Sequence, residues 1–238
     1  MMGNAYLERC LKRLTRVRYA IHHHDRGLSE IITSGSVLQL IADRQNRDRI
    51  LDAFLKDPET VSADVRKRNF RTEILIRCAQ GDKLRLRLVH RLDFMGLVYL
   101  DLHEMLRDCT IDSDGIKWLS PPCHFEEVIL YHRVRVETLP DRFRQYFSGL
   151  DEETRNAIFR HMTGKYRVNI NVIEDLYKHH SRFTRKILHI AESRPENKGW
   201  LLLRNKLCLL TDRWKSSLQK FGLHTYDYTL QPSPIRKN

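Results

Sequence analysis

The chain has 238 residues, 30% of them charged and 41% hydrophobic, with a formal net charge of +12. That balance excludes a disordered chain, and the length suits one large domain or two small ones with a real core. No apolar run approaches the roughly 20 residues of a membrane-spanning helix, and the N-terminal MMGNAYLERCLKRL has neither the apolar segment nor the cleavage site of a signal peptide. Gly3 is not at position two, so N-myristoylation is not expected either. Cys10, Cys78, Cys109, Cys123 and Cys208 are odd in number and scattered, the pattern of reduced thiols in a cytoplasmic protein. Cys123-His124 has no second ligand pair at zinc spacing, so no metal site is expected there.

Residues 155–220 hold fifteen Lys or Arg against five Asp or Glu, so most of the excess charge falls in the C-terminal third. Such a surface favours anionic partners, whether nucleotide, nucleic acid or anionic head group. The plain alternative is a solvated helical face.

In chain order, Tyr6 to Val17 places Leu7, Leu11 and Leu14 on one side of an amphipathic helix. Tyr19 to His24 reads as a short strand ended by the turn signal Asp25-Arg26-Gly27. Of His22, His23 and His24, only the first and third could converge on a strand, which speaks against a metal role. A small polar turn, Thr33 to Ser36, leads into the apolar strand Val37 to Ala42. Asn46 is placed to cap a helix whose Ile50 and Phe54 face a core.

Phe70 to Cys78 reads as a strand joined through Ala79-Gln80-Gly81-Asp82 to a second. That second strand opens the stretch from Lys83 to Arg107 and alternates strictly, with Leu84, Leu86 and Leu88 on one side and Arg85, Arg87 and Val89 on the other. After a break at Asp93 to Gly96 come another short apolar run, Leu97 to Leu100, and a helix from Asp101.

Ser120-Pro121-Pro122 is a helix start, a cap followed by prolines whose missing N–H groups cost nothing in a first turn. Phe125, Val128 and Ile129 continue at helical spacing, and Asp151 can cap a helix carrying Ile158 and Phe159. Longer helices are expected from about Val172 to Ile190, and over Trp200, Leu203, Leu207, Leu210, Trp214, Leu218 and Phe221, where Gly222 stops the last one. The tail from Tyr226 is expected to be loose. The fold class is α+β: a head over 1–118, a basic helical portion over 119–225 and a tail over 226–238.

Three strings carry a resemblance: YAIHHHDRGL (19–28), GSVLQLI (35–41), and LRLVHRL followed by FMGLVYLD (86–101). Together with Leu119-Ser120-Pro121-Pro122 and Glu126-Glu127, this order resembles the nucleotidyltransferase-like proteins of bacterial carbohydrate loci, including those fused to thymidylate-kinase-like domains. The likeness covers roughly Tyr19 to Arg144, and no Walker-type kinase motif accompanies it. It implies a mixed sheet with flanking helices followed by a C-terminal helical bundle. It also implies Mg²⁺ held by an Asp-x-Asp pair on one strand and a third acid on another, since two metals that neutralise a triphosphate require carboxylates from adjacent strands.

The residues in those places are Ser36, Leu38 and Arg87, which suit no divalent cation, and Arg85 in the neighbouring register is no better. Either the acids come from elsewhere, with Asp25, Asp43 and Glu73 as candidates, or the metal site has been lost. Loss is the favoured reading, leaving Gly35, Ser36, Arg85 and Arg87 as a phosphate-binding set, because guanidinium groups pair bidentately with phosphate oxygens. Simple solvent exposure of the two arginines is the rival account.

No hydrolase elbow, zinc-protease helix or dinucleotide fingerprint is present. Glu126-Glu127 and Glu152-Glu153 are expected to be first-turn charges favourable to helix dipoles, and His179-His180 to face solvent or a helix neighbour. The leading expectation is a catalytically degenerate nucleotidyltransferase-like protein that retains nucleotide or nucleotide-sugar binding. The runner-up is a nucleic-acid-binding or scaffolding protein acting through Arg182, Arg185 and Lys186, and the third is an active Mg²⁺-dependent transferase.

Overall fold

The computed structural model describes residues 3–22, 28, 37–79, 81–94, 97–134, 141–167, 189, 193–199, 201–203, 206–208, 210–211 and 228–230. Helix α1 (Gly3–Lys12) leads into β1 (Tyr19–Ile21), and β2 (Val37–Ala42) is followed by a 3-10 turn (Arg44–Asn46) and α2 (Arg47–Leu55). Strands β3 (Thr60–Lys67), β4 (Arg71–Cys78) and β5 (Lys83–Val89) form an antiparallel meander. Gly81 sits in the β4–β5 turn at φ 86°, a backbone that side chains rarely tolerate.

Two short strands, β6 (Leu92–Phe94) and β7 (Leu97–Leu100), make a separate hairpin, followed by α3 (Leu102–Arg107), β8 (Thr110–Ile111) and β9 (Lys117–Trp118). Helices α4 (Pro121–Val134), α5 (Asp141–Ser148) and α6 (Glu152–Tyr166) come next, and β10 (Tyr228–Leu230) returns to the sheet. The chain is thus mixed α+β, and its main sheet has eight strands in the order β10-β3-β4-β5-β2-β1-β9-β8. Among the described residues only β2–β5 and β1–β9 pair in parallel.

Alternation decides what each face of this sheet meets. Leu38 and Leu40 of β2, Ile74 and Ile76 of β4, and Leu84, Leu86 and Leu88 of β5 point to one side. There they pack with Leu7, Leu11 and Leu14 from the α1 region and Ile50 and Phe54 from α2 in one core. Each such side chain contributes roughly 1.5–3 kcal/mol by leaving water. Arg9 fastens α1 across this core by ion pairs to Asp57 (2.9 Å) and Glu59 (2.8 Å).

On the opposite side, elements among the described residues cover one end of the sheet. Ala20, Ile41 and Val89 join Leu119, Phe125, Val128, Ile129, Phe147 and Ile158 in a second core built with α4, α5 and α6. Between these helices Glu126, fully buried, accepts from His161 (2.7 Å), Lys165 (3.1 Å) and the Tyr166 hydroxyl. Beside the β6–β7 hairpin, Asn197 mimics a strand partner, its amide bonding both the N–H and the carbonyl of Val98 at 2.7 Å.

Local signals hold at several ends. Asp101 accepts from His103 N (2.8 Å) at the start of α3, Asp151 from Thr154 N (2.8 Å) at the start of α6, and Ser120 precedes α4. Asn46 occupies the cap position of α2 but makes no side-chain cap bond, because a 3-10 turn already leads the backbone into the helix.

In the C-terminal third the expected helices fall only partly within the described residues. The segments expected to form the helix from Val172 to Ile190 lie outside the described residues apart from His189. The described residues among 201–211 are helical, as expected, and Leu203, Leu207 and Leu210 are 49%, 46% and 53% exposed. Asn69 reaches Cys208 O (3.0 Å) and Thr211 Oγ1 (3.4 Å) in this segment.

Candidate functional site

The uncovered part of the second sheet face is where strand register concentrates charge. Partners across the sheet share a face, so Glu73 lies between Arg66 and Arg87, with Gln39 next beyond Arg87. One step along, Asp64, Leu75, Arg85 and Val37 form a parallel row. Arg77 and Lys83 stand opposite one another at the hairpin end, and Arg71 flanks Glu73 on β4. Six cations (Arg66, Arg71, Arg77, Lys83, Arg85, Arg87) thus share this face with two carboxylates, Asp64 and Glu73.

The carboxylates are already engaged. Glu73 Oε1 lies 3.3 Å from Arg71 Nε and 3.6 Å from Arg87 Nε, and Asp64 pairs with Arg77 at 3.2 Å. Arg66, Lys83 and Arg85 are exposed and make no ion pair among the described residues. Leu75 and Val37, half-buried on either side of Arg85, give this basic surface a partly apolar floor.

Of the residues singled out from sequence, Arg85, Arg87 and Glu73 are brought together here. Asp43 is not. It follows the other end of β2, four positions beyond Gln39, or about 13 Å along the strand. There its buried carboxylate faces His103 Nδ1 (3.4 Å) and Arg18 Nη1 (3.9 Å). Gly35, Ser36 and Asp25 lie outside the described residues, as do Arg182, Arg185 and Lys186.

The register also corrects the alignment of the acid positions. Leu38 pairs with Leu86 and points into the closed core, so it cannot share a site with Arg87. The β2 positions on the face of Arg87 are Val37 and Gln39. Val37, Gln39, Arg85 and Arg87 include no carboxylate, and Glu73 is neutralised by two guanidinium groups, so these residues do not fit a pair of Mg²⁺ ions. Among the described residues no group of three or more His, Cys, Asp or Glu is placed to hold a metal.

Sequence reading missed the wall of this face. His22, at the end of β1, donates its backbone N–H to Gln39 O (3.0 Å), and its ring hydrogen-bonds Glu127 of α4 through Nε2. His124 meets the His22 ring edge-on at 5.4 Å between centroids and packs among Phe143, Tyr146 and Phe147.

Glu126 and Glu127 are therefore not first-turn dipole charges: they lie in the second turn of α4, buried, and tie helices to one another and to β1. His22 and Glu127 are 105 positions apart, and no local signal joins them. Arg71 and Arg77 could have been found, because they alternate with Glu73 and Leu75 along one strand. Two of the thiols make poor nucleophiles, since burial pushes Cys10 up to about 12 and Cys123 to about 11.

No protein-family model matches the chain, and no curated protein does. Among solved structures it is similar to one described as "Crystal structure of putative nucleotidyltransferase from H. pylori", at 8% identity and a TM-score of 0.36, over 93% of this chain and 97% of that one. A likeness at that level fixes no residue correspondence and no activity.

Proposed function

We propose that this chain is a nucleotidyltransferase-like α+β protein that binds a phosphorylated ligand of nucleotide type on its open sheet face, without metal and without nucleotidyl transfer. The observation that carries this reading is the register Val37–Arg85 and Gln39–Arg87. It fills with neutral and cationic side chains the adjacent-strand positions where two-metal chemistry requires carboxylates. Cations that would repel Mg²⁺ suit phosphate oxygens instead. A guanidinium fork satisfies two of those oxygens at once and needs no metal to neutralise them.

Arg85 is the first residue a phosphate meets, being exposed and without an ion pair among the described residues. Arg87 and Arg71 are both ion-paired to Glu73, which limits the freedom they lose on binding. The metal-dependent alternative through Asp43 and Glu73 finds no support, since the two acids face different cations at separate places on the sheet.

The test is calorimetric titration with ATP and with UDP-glucose, each in EDTA and again in excess magnesium. Binding that survives EDTA and weakens at least tenfold in Arg85→Ala/Arg87→Ala supports the reading. Binding that requires magnesium and disappears in Glu73→Gln, or release of pyrophosphate during incubation, overturns it.

A further inference from the structure

The cations of the open face form a track, and its repeat bears on the kind of phosphorylated ligand that fits. Lys83, Arg85 and Arg87 occupy alternate positions of β5, so each steps about 6.6 Å from the last along a straight line. That step is close to the length of one extended phosphodiester repeat of a single nucleic-acid strand. It is far longer than the step between neighbouring phosphates in a nucleoside triphosphate, whose phosphates would crowd at a single arginine.

Flanking cations extend the track sideways: Arg77 stands opposite Lys83, Arg71 next to Glu73, and Arg66 across from Glu73 on β3. The three that no ion pair occupies among the described residues, Arg66, Lys83 and Arg85, are spread over two strands instead of gathered at one point. A compact anion would leave most of them unused.

From this geometry we infer that the open face of β3–β4–β5 binds the backbone of single-stranded nucleic acid, one phosphate per step of β5. The inference rests on the reading of that face as a phosphate-binding surface and names its ligand. The floor beside Arg85 is Leu75 and Val37, apolar but not aromatic, so sugar and base edges find contact without a stacking platform. Recognition is accordingly electrostatic and indifferent to base. The single sheet face is open and shallow, so a flexible strand settles onto it more readily than a stiff duplex.

The experiment is fluorescence anisotropy with labelled twelve-residue oligouridylate and oligoadenylate, across a salt series, with ATP, inorganic polyphosphate and a duplex of equal length as competitors. The two oligomers are expected to bind within a few-fold of each other and at least tenfold tighter than ATP. The log–log salt slope should be about −2 to −3.5, the value for roughly three to five neutralised phosphates of a single strand. Lys83→Ala, Arg85→Ala and Arg66→Ala should each weaken both oligomers equally and make the slope shallower by about 0.7. All three are exposed, so circular dichroism and the melting temperature should not change.

If ATP binds as well as the oligomers, the inference falls while the phosphate-binding reading stands. If no anion binds at low salt, both fall. Equal competition by polyphosphate or by duplex overturns the choice of a single strand. Binding that ignores these three substitutions but is lost in Arg182→Ala/Arg185→Ala places the interface elsewhere and overturns the inference as well.

Discussion

The two faces of β4 and β5 share one backbone and differ in almost everything else. On one side, Ile74, Ile76, Leu84, Leu86 and Leu88 are at most 7% exposed and packed beneath α1 and α2. On the other, at positions one residue away, stand Arg71, Glu73, Arg77, Lys83, Arg85 and Arg87. A strand whose second face is left to solvent normally carries mixed charge or small polar groups. Here three of six cations have no counter-charge among the described residues. The closed face holds the fold together, while on the open face six cations stand against two carboxylates.

If this division is real, neighbouring substitutions must separate cleanly. Leu86→Ala should lower the free energy of unfolding by about 2–5 kcal/mol, through lost burial plus a cavity. Arg85→Ala, one residue before it, should change that free energy by less than about 0.5 kcal/mol. Urea unfolding of both variants measures this directly, and equal losses would collapse the distinction.

The helices that cover part of the second face give the next effect in size. Glu126→Gln removes the carboxylate that serves His161, Lys165 and Tyr166, and should cost about 3 kcal/mol because it leaves a buried cation short of its partner. Burial works to raise the Glu126 carboxyl, but the His161 hydrogen bond and the Lys165 charge outweigh it and hold the group below the usual range. A depressed carboxyl stabilises the fold above its unfolded value, near 4.3 for glutamate, and that contribution fades as pH falls through the lower folded value. The loss of stability below about pH 4 should therefore be shallower in Glu126→Gln than in the wild type, as followed by thermal melts from pH 6 to pH 2.

The smallest effect sharpens the open face itself. Glu73→Gln frees Arg71 and Arg87, and should tighten oligonucleotide binding by roughly two- to fivefold at low salt, an effect that shrinks as salt rises. Stability should stay within about 0.5 kcal/mol of wild type. Weaker binding in this variant would mean that the carboxylate takes part in the site instead of restraining it.

How much of this was legible in the sequence depended on whether the signal was local. The alternation of β5, the glycine turn before it, the start of α4 and the Asp151 cap are each written within a few residues, and each appears in the structure. Strand β3 is absent from the sequence reading because a register shift between Thr60 and Ser62 breaks its period. Helix α5 was likewise missed: its Phe143 and Phe147, four apart, are the only apolar pair in a strongly polar stretch.

The site was half legible. Arg85, Arg87 and Glu73 stand out on strands, but which β2 residue shares their face is a matter of pairing, and a one-residue difference exchanges Leu38 for Gln39. The His22–Glu127 wall needs a contact across more than a hundred residues and has no sequence signature.

Strand β10 has a consequence at the sheet's margin. Tyr228, Thr229 and Leu230 pair with Val65, Asp64 and Ala63, so the middle of β3 is not left with its amides and carbonyls bare. At the far margin β8 is only two residues long. A sheet with one rim covered and the other cut short gives a second molecule little to zip onto. Shortening the chain before Tyr228 would uncover Ala63, Asp64 and Val65 in the middle of an eight-residue strand and offer a template for copies of the chain.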